Sequence, residues 1–389
     1  MAERILLCLC HMSGREMDFI NEAFADNWVV PLGPNVTGFE KDLEKFFFGT
    51  DKPHRIVALS AGTAAIHLAL VALGVGHGDE VMVQSFTFSA SANPVTYVGA
   101  TPVFVDSEPD TWNMDPELLD RAIADRVAKT GKLPKAIIPV YLYGMPAKIS
   151  EILEVAEKWG IPVIEDSAEA FGSKYKGQYC GTFGRFGIQS FNGNKMITTS
   201  GGGALICPDE ATARLVTSYA TQSREPAPWY QHERVGFNYR LSNISAGIGR
   251  GQMTIADSHL AHHRHVQQLY RELLSDIPGI ILHDNPGPDF DSNFWLCAIT
   301  FTPDLTVSGD DGCGRPEALR RALEKENIET RHLWKPMHLQ PFFRDCPAYV
   351  NGVSEDLFSR GLCLPAGPWV KEPEIERILS AIRNAVSTR

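Results

Sequence analysis

The hydrophobic and polar positions of the chain follow two alternating patterns between about residues 55 and 165. Short, continuously apolar runs predict buried strands, and the longer stretches between them have the apolar spacing of helices. The stretch 64–74 is apolar on nearly all sides, which predicts a buried helix. Strands alternating with helices predict an α/β fold with a mainly parallel sheet and right-handed crossovers. The predicted strands are 55–60, 81–84, one ending at Asp106, one within 135–144 and 161–164. The predicted helices are 64–74, one between the strand 81–84 and the strand ending at Asp106, 112–128 and 150–160.

The pattern changes on either side of this region. Residues 13–26 carry a helical apolar stripe that Ser13 would cap, with Glu16 three residues later. From residue 257 onward, strand-like segments alternate with two helices, which predicts a smaller α+β domain. We therefore divide the chain into a large domain over 1–256 and a small C-terminal domain over 257–389. The remaining predicted helices are 209–221, one from about Ser245, 256–276, 316–327 and 372–386, and the late strands are 281–284, 293–301 and 328–334.

The helix predicted over 256–276 contains four histidines. His259 and His263 have the i, i+4 spacing of metal ligands, but no nearby carboxylate or cysteine completes a site. A solvated helical face is therefore the favoured interpretation, and no metal is expected.

The stretch from Gly160 to Leu205 has the strongest indications of chemistry. Asp166 lies where a buried strand would emerge, and open α/β sheets bind ligands at such strand ends. Lys195 follows about thirty residues later, between apolar residues. Pyridoxal phosphate (PLP) needs these two side chains, a carboxylate for its ring nitrogen and a lysine for a Schiff base. Taken singly, the aspartate could instead be a helix cap and the lysine a surface residue.

Two further segments suit the same cofactor. Gly62 and Thr63 follow a strand and open a helix, where free N–H groups and the helix dipole favour an anion such as a phosphate. Phe86 and Phe88 lie just beyond another strand, so that one of them could stack on a ring. Packing in the core is the alternative for either phenylalanine.

Composition narrows the class of protein. The 389 residues carry a net charge of −11, which argues against nucleic-acid or anionic-membrane binding as the main function. Eight cysteines are scattered without a CxxC pair, as in a reduced cytosolic protein. No apolar run reaches the ~18 residues of a membrane span. We expect a soluble, cytoplasmic protein with neither nucleic-acid nor membrane partners.

The sequence resembles the DegT-type nucleotide-sugar aminotransferases, which are PLP enzymes of fold type I. The resemblance covers nearly the whole chain and lies in five blocks whose order and spacing make it specific. These blocks are LSAGTAAIHLAL (59–70), GDEVMVQSFTFSASANPV (78–95), IEDSAEAFGSKYKG (164–177) with SFNGNKMITTSGGGAL (190–205), GFNYRLSNISAGIGRGQM (236–253) and RHLWKPMHLQPFF (331–343).

The resemblance implies a role for each matching residue. Lys195 would hold the cofactor as a Schiff base and Asp166 would pair with its ring nitrogen. The other implied cofactor contacts are Gly62, Thr63 and Ser190 at the phosphate, Phe88 on the ring, Glu169 where many relatives have His or Gln, and Asn238 reaching the phosphate from the neighbouring subunit of a homodimer. Arg240, Arg331 and His338 would lie near the substrate or the ring.

The motif pair SAEAFGS and SFNGNK most resembles transaminases of the UDP-N-acetylbacillosamine route. It implies transfer of an amino group from L-glutamate to C4 of a UDP-linked 4-keto-6-deoxy-N-acetylhexosamine. A C3 or C4 aminotransferase acting on a dTDP- or GDP-linked keto sugar stays open. So does a PLP-binding regulator without catalysis, although Lys195 and Asp166 are both present. Lys195 also argues against the dehydratases of the family, which have His at that position.

Overall fold

The computed structural model describes residues 3–49 and 55–388. Most of the helices agree with the apolar spacing, although several boundaries differ by a few residues. The helices are α1 (Glu16–Ala25), α2 (Pro34–Phe48), α3 (Gly62–Ala72), α4 (Asn93–Tyr97), α5 (Pro116–Thr130), α6 (Ile149–Trp159), α7 (Glu210–Ala220), α8 (Asn243–Met253), α9 (Ala256–Leu274), α10 (Arg315–Lys325), α11 (Val353–Arg360) and α12 (Glu372–Ala385).

The strands form one large sheet and several smaller ones. They are β1 (Ile56–Leu59), β2 (Glu80–Gln84), β3 (Thr101–Val105), β4 (Ala136–Ile138), β5 (Ile164–Asp166), β6 (Lys174–Tyr175), β7 (Gln178–Tyr179), β8 (Phe186–Ser190), β9 (Gly203–Ile206), β10 (Ile280–Leu282), β11 (Phe290–Asp291), β12 (Cys297–Phe301), β13 (Leu305–Val307), β14 (Arg331–His332), β15 (Ala348–Tyr349), β16 (Gly361–Leu364) and β17 (Val386–Thr388).

The large sheet is mainly parallel, as predicted. Its two halves have the orders β1-β9-β8-β5 and β15-β3-β2-β4. Parallel bridges from Ile137 to Val163 and from Val140 to Asp166 join β4 to β5 and make the sheet continuous. Only β9 runs against its neighbours β1 and β8. The predicted α/β fold class is therefore confirmed.

Both faces of this sheet are covered, which explains the continuous apolar runs of its strands. Val81 and Val83 of β2 pack in the same core as α3, whereas Met82 packs with α5 and α6 on the other face. Helix α3 is buried along most of its length, as its apolar sequence predicts. Helix α6 ends at Gly160, whose φ of 66° is in the left-handed region that glycine adopts at helix ends.

The later part of the chain forms an antiparallel sheet, β10-β12-β16-β14, which packs with α9, α10 and α12. This later part of the chain also contacts distant parts of the sequence. Ile5 bridges Ile328, and β15 returns to the large sheet beside β3. The division of the chain into domains at residue 256 stays a prediction.

Two helix starts differ from the prediction because of how their caps are made. Helix α1 begins at Glu16, whose carboxylate accepts hydrogen bonds from Ser13 N and Gly14 N; the Ser13 hydroxyl accepts from Arg15 N instead of capping the helix. Helix α5 begins at Pro116 and not at 112, because Asp115 accepts from the first free amides of that helix.

The prediction of a solvated histidine face on α9 is wrong. His259 and His263 are buried, with Nδ1 atoms 3.2 Å from the carbonyl oxygens of Met196 and Phe294, respectively. A second layer of chain covers this face, which the periodicity of one helix does not reveal. In the part of the chain that the structure describes, no cluster of three His, Cys, Asp or Glu side chains is arranged to bind a metal. Across the same residues, no helix combines the length and the apolar character needed to span a membrane.

Candidate active site

A cavity of about 350 Å³ lies at the carboxyl ends of β5 and β8 and beside the N-terminus of α3. This is the place where ligands bind in open α/β sheets. The cavity brings together seven residues singled out from the sequence. They are Gly62, Thr63, Phe88, Asp166, Glu169, Ser190 and Lys195.

Asp166 is a buried acid at the end of β5. Its Oδ2 accepts a hydrogen bond of 2.5 Å from Ser91 Oγ, and its Oδ1 accepts one of 3.2 Å from Ala168 N. Burial raises the pKa of Asp166, while these two donors and Lys195 act in the opposite direction. Glu165 is on the opposite face of the strand and accepts from Gly181 N and Phe183 N. Of the two acids, Asp166 is the one that faces the cavity.

The amino group of Lys195 enters the cavity beside an acid and an aromatic ring. Its Nζ is 3.4 Å from Glu169 Oε1 and 3.8 Å from the centre of the Trp295 ring. The Trp295 indole donates to the Asn194 carbonyl oxygen across 2.7 Å, which fixes the ring next to the lysine backbone. A cation close to an aromatic face is attracted by the ring quadrupole. The lysine is therefore held at a defined position.

Glu169 is 6% exposed and is held from two sides. Its Oε2 accepts from Tyr143 N at 2.7 Å, and its backbone carbonyl accepts from Asn293 Nδ2 at 2.9 Å. Burial raises the pKa of Glu169, and the charge of Lys195 opposes this rise. Glu169 is therefore a buried acid in direct contact with the amino group of Lys195.

The other end of the cavity suits an anion. Helix α3 begins at Gly62 after the extended residue Ala61, with no acidic side chain in its first turn and no side-chain cap. Its first amides are among those that an α-helix leaves without internal partners. Ser190 ends β8 directly beside this turn, where a Cβ on Gly62 would lie 3.3 Å from the Ser190 Cβ. A phosphate fits there because N–H groups, a hydroxyl and the helix dipole converge.

These groups fit PLP, with an acid for its ring nitrogen, an amine for its aldehyde and a helix N-terminus for its phosphate. The model of the DegT/DnrJ/EryC1/StrS aminotransferase family matches residues 11–383. The chain belongs to this aminotransferase family. The recognition of the family from sequence is thereby confirmed, as is its assignment as a PLP-dependent sugar aminotransferase.

Individual members of the DegT/DnrJ/EryC1/StrS family align along nearly the full chain. EpsN of Bacillus subtilis, which is named as a pyridoxal phosphate-dependent aminotransferase, is 46% identical over 100% of this chain and 97% of its own. GDP-perosamine synthase of Escherichia coli O157:H7 is 34% identical over 97% of each chain. The crystal structure of a family aminotransferase from Brucella abortus has a TM-score of 0.86, with 32% identity and 95% of each chain covered.

Four residues that the family resemblance assigned to the cofactor or substrate do not line the cavity. Asn238 is exposed. Arg240 forms a short ion pair with Glu40, and its Nη1 donates to the Ala58 carbonyl at 3.0 Å. The ring of His338 lies between Ser85 Oγ at 2.6 Å and Glu355 Oε1 at 3.1 Å. Arg331 lines a neighbouring cavity of about 200 Å³. The roles of all four stay predictions.

Phe88 lines the cavity and is 56% exposed, with its ring centre 5.9 Å from that of Trp334. Phe86, the other phenylalanine considered for stacking, is fully buried in the core. Stacking of Phe88 on the ring of the cofactor stays a prediction.

Several lining residues were missed by the sequence reasoning. Thr87 and Ser91 lie beside Phe86 and Phe88 in the segment after β2, so that their position gave a signal that was not used. Trp295 comes from a distant strand-like segment whose pattern indicates only burial. The other missed polar residues of the lining are Ser60 and Asn192.

Proposed function

We propose that this aminotransferase transfers an amino group from L-glutamate to C4 of a UDP-linked 4-keto-6-deoxy-N-acetylhexosamine. The observation that carries this proposal is the buried Glu169 carboxyl 3.4 Å from Lys195. Glu169 belongs to the SAEAFGS motif, which resembles the corresponding motif of the UDP-sugar enzymes. Many relatives have His or Gln at the position of Glu169. The 46% identity with EpsN along the whole chain supports the enzyme class but not the choice of sugar.

A GDP-linked keto sugar is the second candidate. It is favoured by the GDP-perosamine synthases of Escherichia coli O157:H7 and Caulobacter vibrioides, which are 34% and 35% identical over 97% of this chain. Both candidates need the same chemistry at the keto carbon, so they differ only in the groups that recognise the nucleotide and the sugar.

The cavity residues have distinct tasks in this reaction. Bound PLP supplies an electron sink that lets a C–H bond next to nitrogen ionise. Asp166 would hold the ring nitrogen in its protonated form, and the α3 N-terminus with Ser190 would hold the phosphate. The amine of Lys195, once released from the cofactor, would be the base that takes a proton from the substrate carbon. Glu169 can take up or return the proton that the amine of Lys195 gains or loses.

The glutamate donor brings two carboxylates, and this supports a role for Arg331. Lys195 is the one cationic side chain among the described residues that line the main cavity. Arg331 lines the adjoining cavity, which shares Asn194, Trp295 and Trp334 with the main one. One guanidinium nitrogen of Arg331 pairs with Glu329 at 2.7 Å. A guanidinium has five N–H donors, so further donors are available for a carboxylate.

We also propose a homodimer in which Asn238 of each chain reaches the phosphate of the other. Asn238 follows a segment that exposes large apolar side chains, among them Trp229, Tyr230 and Val235 at 65–81% exposure. Burial of such a patch against a second copy would remove apolar surface from water.

The sharing of sites can be tested with mixed dimers of Lys195→Ala and Asn238→Ala chains. In a mixed dimer, one of the two sites has both wild-type residues, so activity should return when the two weakly active variants are combined. If the mixture is no more active than the sum of its parts, each site is built from a single chain.

The substrate is tested by following the visible absorbance of the bound cofactor in wild type and Lys195→Ala. We expect L-glutamate to remove the band and the UDP-linked keto sugar to restore it, in wild type only. If the GDP-linked sugar restores the band and the UDP-linked sugar does not, the second candidate replaces the first. If neither does, the C4-amination proposal fails even though the enzyme class stands.

A further inference from the structure

Two buried hydroxyl groups lie behind Asp166 and have no role in the scheme above. Ser91 Oγ donates to Asp166 Oδ2 at 2.5 Å, and Thr87 Oγ1 lies 2.7 Å from Ser91 Oγ. Each of these two residues is 1% exposed, although both line the cavity. Ser91 is in a 3₁₀ turn, Ser89–Ser91, that follows β2, whereas Asp166 ends β5, so the contact joins separate parts of the sheet.

The number of protons fixes the direction of this chain of hydrogen bonds. A serine hydroxyl has one proton to donate. An ionised Asp166 can only accept, so Ser91 gives its proton to Asp166 and the proton between Thr87 and Ser91 must come from Thr87. Donation therefore runs from Thr87 to Ser91 to Asp166. If Asp166 held a proton, it could donate to Ser91 and the whole chain would reverse, so donation towards Asp166 belongs to its carboxylate form.

This support acts against the effect of burial. Burial raises the pKa of Asp166, and the Ser91 hydroxyl is the largest of the contributions that lower it. Hydrogen bonds to a charged acceptor are stronger than those between neutral groups, and a donor that itself accepts a bond is polarised further. Without the two hydroxyls, the ionised form of Asp166 would be stabilised only by the long hydrogen bond from Ala168 N and by the charge of Lys195.

We propose that Ser91, backed by Thr87, is a positioning residue that keeps Asp166 ionised and directed at the ring nitrogen of the cofactor. The inference rests on PLP as the cofactor and is independent of which sugar or amino donor is used. Its failure would therefore leave the proposed substrate untouched.

The experiment uses the purified holoenzyme loaded with PLP labelled with ¹⁵N in the ring. The variants are Ser91→Ala, Ser91→Thr and Thr87→Val. Ser89→Ala is the matched control, because Ser89 is in the same turn and is half-buried. Its hydroxyl makes no hydrogen bond with the described residues. The ¹⁵N chemical shift reports whether the ring nitrogen carries the proton, a property that general loosening of the fold would not change by itself.

We expect the Ser91→Ala resonance to move towards the value of unprotonated pyridine at an unchanged pH, because the proton then prefers the carboxyl group. PLP affinity should fall roughly tenfold, the size of effect that one hydrogen bond to a charged group produces. Ser91→Thr and Ser89→Ala should match wild type, and Thr87→Val should lie between wild type and Ser91→Ala.

A wild-type ¹⁵N shift in cofactor-loaded Ser91→Ala would overturn the proposal. If Ser91→Ala does not fold or take up PLP, Thr87→Val decides the question. A shifted resonance in that variant supports the chain of donors, and an unshifted one refutes it.

Discussion

Replacement of Gly203 by alanine should weaken cofactor binding while leaving the protein folded. Gly203 opens β9 and lies against the turn that starts α3. A Cβ there would be 2.5 Å from the Ala61 carbonyl carbon and 2.8 Å from its oxygen, and would also meet Gly62 N. These are backbone atoms, so no side chain can rotate away to relieve the clash.

The size of the effect follows from these distances. An ordinary contact needs about 3.4 Å, so the Ala61–Gly62 turn would have to move by about 0.9 Å. Overpacking of this kind costs about 1–3 kcal/mol of unfolding free energy. A shift of about 1 Å at an aligned site can cost on the order of a hundredfold in rate. The first amides of α3 would no longer converge with Ser190 on the phosphate.

The assay is a PLP titration by absorbance, together with urea unfolding of the cofactor-free protein. We expect Gly203→Ala to bind PLP at least about tenfold more weakly while losing no more than about 3 kcal/mol of stability. Gly76→Ala is the control, since Gly76 lies beyond the opposite end of α3 and a Cβ there would meet no atom within 4 Å. Wild-type PLP affinity in Gly203→Ala would refute the assignment of the phosphate to this turn.

Three further changes test other parts of the site and the core. Asp166→Asn should retain PLP but lower kcat on the order of a hundredfold or more, because an amide does not hold the ring nitrogen protonated; a near-normal kcat would contradict that role. Activity should fall from wild type to Trp295→Phe and again to Trp295→Leu, because phenylalanine attracts the Lys195 cation less than tryptophan does and leucine has no ring. Equal rates in the three proteins would show that the ring does not position Lys195. Burial lowers the pKa of His263 to about 3, whereas the pKa of a histidine in an unfolded chain is ~6.5. Between roughly pH 6 and 4, the unfolded state therefore binds a proton that the folded state does not. The free energy of unfolding should fall by about 1.4 kcal/mol for each pH unit by which the pH is lowered in this range. Urea unfolding at several pH values should show a shallower slope in His263→Asn than in wild type and in the exposed control His265→Asn.

The sequence was informative where chemistry depends on local order along the chain. Asp166 was found because a continuous apolar run ends beside it, and α3 because its apolar positions leave no polar face. The phosphate turn needs only a strand, a small residue and a helix start. Such features are repeated in many proteins, and their physical basis is contained in a few neighbouring residues.

Contacts between distant segments were not predictable in the same way. Ser91 reaches Asp166 across 75 residues of sequence, and the Trp295 indole reaches Asn194 across 101. Nothing near either residue indicates its partner. The error at His259 has the same origin, because the covering layer comes from Met196 and its neighbours, 63 residues away. The pattern of one element shows which face is apolar but not what packs against a polar one.

A chain growing on the ribosome could not complete the large sheet until nearly all of it had been made. Strand β3 ends at Val105, but its neighbour β15 ends at Tyr349. At translation rates of about 5–20 residues per second, the edge of β3 would stay open for roughly 12–50 s. Pro102 lies within β3 and has no N–H to donate to a strand of another chain. It therefore disfavours pairing of the exposed edge with other chains until β15 has been made. Fast synthesis of residues 106–349 should therefore improve the yield of folded enzyme.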